Sequence, residues 1–160
     1  MKEVKLESTL YVFNNLVELP DDVKHLMEKA VQARKNAYAP YSNFLVGAAI
    51  LLDNNTIVTG NNQENASYPS GLCAERTAIY SAGSQYPNAN MLKMAIVAGA
   101  KNKQTDKPIP PCGACRQAIA EYEIKQKTPI ELYFMGETGK VVKSNSLANL
   151  LPLMFDSSVL

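Results

Sequence analysis

The sequence predicts an α/β fold, a mixed five-stranded sheet flanked by helices, and three observations predict it. Apolar runs of strand length, "FLVGAAILL" (Phe44–Leu52) and "MLKMAIVAGA" (Met91–Ala100), read as buried strands. Between and around them lie segments whose apolar residues recur at helical spacing. The resulting order, α-β-β-α-β-α-β-β, puts the helices on one sheet. At 160 residues the chain suits a single domain over 1–160, with 1–20 as an N-terminal arm.

The elements follow in order. Residues 1–20 show no clear period and run into Pro20, with room for a short strand or helix around Leu10–Leu16. From Asp21, the residues Val23, Leu26, Met27, Ala30 and Val31 share one helical face, with Asp21 or Asp22 as N-cap. Pro40 in "YAPYSN" ends that helix. After the first buried strand, Asp53–Asn55 make a turn and "TIVTG" pairs back as a hairpin. "CAERTAIYSAG" is a helix closing near Gly83. The strand Met91–Ala100, the polar loop "KNKQTDKPIPP" and a second helix, "CGACRQAIAEYE", come next. "IELYFM" and "VVKS" supply the last strands, and "SLANLLPLMF" a short helix and tail.

Composition excludes several classes of function. Hydrophobic residues make up 46% and charged residues 19%, an ordinary globular balance. A net charge of +1 with scattered basic residues leaves no footprint for nucleic acid or an anionic membrane. No apolar run is long enough to span a bilayer, and the N-terminus does not read as a secretory signal. Three cysteines cannot all pair, so a reducing cytoplasm is the expected location.

Those three cysteines carry the chemistry. Cys112 and Cys115 form a C-x-x-C at a predicted helix start, where positions three apart share a face. Cys73 lies at another predicted helix start. Helix N-termini favour thiolates, and two of them face to face suit a soft tetrahedral metal, most simply zinc. The C-x-x-C alone also fits a redox motif or a pair of core residues, but neither explains Cys73 and Glu75. A fourth ligand is missing: His25 lies opposite the Val23/Met27/Ala30 stripe and should face solvent. Three ligands and an open position are the pattern of a catalytic zinc. Glu75 can close the site, or it can touch metal-bound water as a general base. Three thiolates on a dication leave net negative charge, which Arg76 and Arg116 are placed to offset.

At this point the residues resemble a known family, the small homotetrameric zinc-dependent cytidine deaminases. "YAPYSNFLVGAA", "NNQENASYP", "CAERTAI" and "PCGACRQ" occur in the family's order, and the likeness runs from about Leu26 to Phe155. It implies the family's three-layer fold. It implies hydrolytic deamination of cytidine and 2′-deoxycytidine to uridine and 2′-deoxyuridine with release of ammonia, in pyrimidine salvage. One zinc per chain would sit on Cys73, Cys112 and Cys115, with zinc-bound hydroxide attacking C4 and Glu75 shuttling protons. The backbone at Ala74 would hold the pyrimidine edge, Phe44 the ring, and Asn62 and Glu64 the ribose, with Tyr68 in the same segment. Arg76 would bond to ligand thiolates. Phe155 would reach the pocket of a neighbouring subunit in a homotetramer with shared active sites. Without the resemblance, Phe44 reads as core and Asn62/Glu64 as a turn after "TG".

Two features depart from the family: the longer N-terminal arm, and Gln63 where an aliphatic residue is common. Other readings are a deaminase of a different aminated ring, such as that of the nucleoside blasticidin, an RNA- or DNA-editing deaminase, and a zinc-stabilised binding protein. "NQENASYP" favours a ribose. The charge and the absence of Trp disfavour a nucleic-acid strand. Glu75 and the missing fourth ligand disfavour a binding protein.

Overall fold

A computed structural model describes residues 1–159. Its elements run β1 (Tyr11–Phe13), α1 (Asp21–Arg34), β2 (Phe44–Leu52), β3 (Ile57–Asn61), α2 (Ala74–Gln85), β4 (Met91–Ala100), α3 (Gly113–Gln126), β5 (Glu131–Met135) and β6 (Val141–Ser144). The sheet is mixed, in the order β1-β6-β5-β4-β2-β3, and has six strands rather than the expected five. The sixth comes from the arm, where Val12 pairs with Val142 at the sheet edge. A three-residue edge strand has no period to read, and its hydrogen bonds go to a partner far along the chain. Among the described residues, no helix is long and apolar enough to cross a membrane.

The hairpin β2–β3 and the pair β2–β4 are antiparallel, so β3 and β4 point the same way on either side of β2. β4 and β5 are parallel. Parallel neighbours need a crossover, and α3 supplies it. Helices cover both faces. On one, Val23, Leu26, Met27 and Ala30 of α1 pack on Ala49, Ala95, Val97 and Met135. On the other, Ala78, Ile79 and Ala82 of α2 and Ile119 of α3 pack on Ala48, Ile50, Met94, Ile96 and Leu132. Alternate residues of β2 thus serve opposite layers, as the pleat requires.

Local details correct the sequence reading. The N-cap of α1 is Pro20, with no side-chain cap bond; Asp21 and Asp22 occupy the first turn, where negative charge suits the helix dipole. Asp22 is held by Lys93 at 2.6 Å. The helix expected in "SLANLLPLMF" is only a 3-10 turn, Leu147–Asn149. Leu153 beyond it takes a positive φ of 58°, which stops helical propagation. α3 runs to Gln126 and is closed by Lys127 in the left-handed conformation.

Two glycines let the helices dock. A Cβ on Gly47 would lie 2.1 Å from the Ala30 carbonyl oxygen of α1. A Cβ on Gly60 would lie 2.5 Å from Ala78 N and 2.6 Å from Ala74 O, both in α2. Gly60→Ala must therefore push α2 off the sheet, and should destabilise the fold by about 1–3 kcal/mol. Gly113→Ala meets nothing within 4 Å and should stay within about 1 kcal/mol of the parent. Urea unfolding of the two variants checks the contrast, and equal losses would mean that α2 packing is not the constraint.

Candidate metal centre and active site

Because β3 and β4 are co-directional, the helices that follow them begin at the same end of the sheet. Cys73 is the N-cap of α2 and Cys112 the N-cap of α3. That position is usually filled by Ser, Thr, Asp or Asn, whose oxygens cap the helix. Neither cysteine makes a side-chain cap bond, so both sulfurs are free to turn towards each other. Cys115 stands one turn into α3, fully buried.

The three sulfurs lie within 4.8 Å of one another. Cys73 Sγ is 3.8 Å from Cys112 Sγ, which is 3.4 Å from Cys115 Sγ. No disulfide joins them. Zinc–thiolate bonds of about 2.3 Å give tetrahedral sulfur–sulfur edges of about 3.8 Å, so the donor set fits zinc in both chemistry and spacing. As free thiols the sulfurs compete for protons. Hydrogen bonding from Cys115, assisted by Arg76, lowers the Cys73 thiol, while the same contact and burial raise that of Cys115.

Glu75 sits two residues past Cys73, in the first turn of α2, and is only 4% exposed. Burial raises its carboxyl to about 7. It borders a cavity of about 290 Å³ whose wall also includes Cys73, Cys112, Phe44, Asn62 and Glu64. That volume is at the lower end of small-molecule sites, which run from about 300 Å³.

The sugar-side expectations come together here. Beyond the last ladder pair of the hairpin, Gly47–Asn61, the backbone of 62–64 pairs with Val46, Tyr38 and Leu72, and side chains add to that pairing. Asn62 accepts from Val46 N at 2.8 Å and donates to Phe44 O at 2.9 Å, leaving one amide N–H free. Glu64 accepts from Tyr41 N at 2.9 Å, from Ser42 N at 3.2 Å and from the Ser42 hydroxyl. Ala74 is buried as the first residue of α2. Tyr68 borders an adjoining hollow of about 460 Å³ that shares Ser42, Asn62, Glu64 and Cys73 with the cavity. Its ring packs against Tyr41, 5.9 Å between centroids.

The remaining expectations divide. Arg76 Nη2 lies 3.8 Å from Cys73 Sγ, on the ligand side. Its Nε is buried and lacks a hydrogen-bond partner among the described residues. Arg116 is turned away: it donates to Pro111 O at 2.8 Å and Leu150 O at 2.6 Å, tying the loop before Cys112 to the C-terminal segment. His25 is exposed and stands 3.8 Å from Glu28, far from a ligand role. Phe155 is 60% exposed and does not line the cavity of its own chain. Sequence reading passed over Ser42. A serine in a proline-bearing turn is ordinary turn chemistry, and only the folded chain shows its hydroxyl on Glu64.

Three converging thiol sulfurs beside a buried carboxyl and a cavity make a candidate metal site. The family model for the cytidine and deoxycytidylate deaminase zinc-binding region matches residues 20–129, and the chain belongs to that family. A cytidine deaminase of Halalkalibacterium halodurans is 47% identical over 100 residues, covering 62% of this chain and 71% of that protein. One from Sporosarcina psychrophila is 40% identical over 134 residues, covering 84% and 91%. The crystal structure of cytidine deaminase from Burkholderia pseudomallei superposes with a TM-score of 0.71 at 38% identity, covering 86% of this chain and all of that one.

Protein purified without added metal should contain one zinc per chain. Cys73→Ala should lose most of it and unfold at lower temperature, because metal binding to thiolates stabilises the fold that assembles them. Elemental analysis with a melting curve tests this, and full zinc occupancy in the variant would remove Cys73 from the ligand set.

Proposed function

We propose that the chain hydrolyses cytidine and 2′-deoxycytidine to the corresponding uridines, releasing ammonia. The observation that carries this is the buried Glu75 carboxyl beside the three-sulfur cluster, at the wall of a cavity of about 290 Å³. Family membership and the cytidine deaminases of similar sequence and structure support it. Zinc held by Cys73, Cys112 and Cys115 supplies a Lewis acid that makes water nucleophilic near neutral pH. Glu75 takes a proton from the attacking water and delivers it to ring N3 as the water oxygen bonds to C4. It then takes the remaining proton from the oxygen on C4 and carries it to the departing amine, and the C4–N bond breaks to leave a C4 carbonyl and release ammonia. Phe44 packs on the pyrimidine, the backbone at Ala74 holds its edge, and Asn62 and Glu64 bind sugar hydroxyls, with Tyr68 at the outer rim.

Arg76 has its role through Cys73. Its guanidinium offsets the negative charge of the thiolates, which otherwise opposes ionisation of water. Arg76→Ala should therefore lower kcat more than it raises KM for cytidine; a variant that lost only affinity would make Arg76 a substrate ligand.

The chain works as one domain over 1–160, the 1–20 arm included, in the reducing cytoplasm that three free thiols require. It assembles as a homotetramer with shared active sites. The exposed tail carries Leu153, 88% exposed, and Phe155, an apolar surface that association would cover. Phe155→Ala should raise KM for cytidine, and an active monomer by light scattering would contradict the assembly.

Glu75→Gln tests the reaction itself. The amide keeps volume and hydrogen bonding but cannot carry a proton. Zinc content should match the parent, while the fall in absorbance on incubation with cytidine slows by about 10⁴-fold or more, the upper end for acid–base groups. Loss of zinc in this variant would make Glu75 a fourth ligand and the site a structural one.

A further inference from the structure

We propose that Ser42 is a positioning residue that determines how the site discriminates sugars, by orienting the Glu64 carboxylate. This rests on the cytidine-hydrolysing reading above. A carboxylate has about four acceptor positions, two on each oxygen. Glu64 Oε2 accepts from both Tyr41 N, at 2.9 Å, and Ser42 N, at 3.2 Å, so that oxygen is filled. Glu64 Oε1 accepts only from the Ser42 hydroxyl, which leaves it one free position. The free position is thus on the oxygen beside Ser42, and Ser42 and Glu64 both border the cavity. A sugar hydroxyl donating there completes the carboxylate.

The same hydroxyl reaches the other half of the site. Ser42 Oγ accepts from Phe44 N at 3.0 Å. One atom therefore links the carboxylate on the sugar side to the backbone of the aromatic residue on the ring side. The turn that presents it is held independently. Asn43 sits in the left-handed region with φ 55°, its N–H donates to Ala39 O at 3.1 Å, and its carbonyl accepts from Lys101 N at 2.8 Å. Loss of the Ser42 hydroxyl leaves the carboxylate anchored at Oε2 alone and releases Oε1, the oxygen that faces the sugar, without dismantling the turn. The cost should fall on recognition of the hydroxyl rather than on the proton transfers at Glu75.

The test compares cytidine with 2′,3′-dideoxycytidine, which keeps the 5′ hydroxyl but lacks the 2′ and 3′ hydroxyls, the ones proposed to donate to Glu64. Ser42→Ala should raise KM for cytidine about 10-fold, the loss of one hydrogen bond to a charged group. Its kcat should change little, and KM for the dideoxynucleoside should stay within about 2-fold of the parent. Ser42→Thr, which keeps the hydroxyl, should restore discrimination. In a Glu64→Ala background, Ser42→Ala should add no further loss, as expected of residues acting through one contact. Equal KM increases for both nucleosides would reduce Ser42 to a structural role and overturn the proposal. Additive losses in the Glu64→Ala background, or unchanged discrimination in Ser42→Ala, would do the same. If the parent enzyme itself failed to deaminate cytidine, the underlying functional reading would fall instead.

Discussion

The site depends on the shared direction of β3 and β4. Both pair antiparallel to β2, so both finish at the same end of the sheet, and the helices that follow start there together. Two helix N-termini, each positive and rich in unpaired N–H groups, would repel if nothing negative lay between them. Thiolates at the two N-cap positions answer that need, and a cation between the thiolates answers theirs. Gly60 allows α2 to lie close enough to β3 for its first turn to reach α3's. The cysteine cluster thus follows from strand direction and helix packing, with the loop before Cys112 held by Arg116.

Burial divides the labour within this small volume. Cys115 is inaccessible and Cys112 exposed, so the cluster has a protein side and an open side. Glu75 lies at the boundary. Taken out of water it holds its proton up to about 7, whereas exposed glutamates ionise far lower. Glu64, out on the rim, behaves oppositely: the Ser42 hydroxyl, with the Tyr41 and Ser42 amides, lowers its pKa and keeps it an acceptor. The two carboxylates therefore differ in chemistry because of their surroundings. Burial holds one towards its neutral form, and hydrogen bonds hold the other towards its ionised form.

Much of this was legible in the sequence, for identifiable reasons. The α1 stripe, the long strands and the helices opening at Cys73 and Cys112 follow from spacing, because each element is long enough to show its period. The clustering of the cysteines was legible because three of them at two helix starts, with no candidate histidine, leave few chemical options. What escaped was short or nonlocal. Tyr11–Phe13 is a strand only because Val141–Lys143 lies beside it. "SLANLLPLMF" has helical composition, yet Pro152 and the left-handed Leu153 stop it. Arg116 sits at the same helical spacing from a ligand as a charge-offsetting residue would, but two carbonyls claim it. Asn62 and Glu64 gained meaning only from a family resemblance, since their use beyond the hairpin's last ladder pair is set by tertiary contacts with residues 41–46.

The central claim is that three sulfurs from two helix starts hold a zinc whose fourth position stays open to a small oxygen ligand. X-ray absorption at the zinc K-edge of the purified protein tests it most directly. Three sulfur scatterers at about 2.3 Å and one oxygen or nitrogen at about 2.0–2.2 Å are expected. A shell with fewer than three sulfurs, or one composed of sulfur alone, would contradict it.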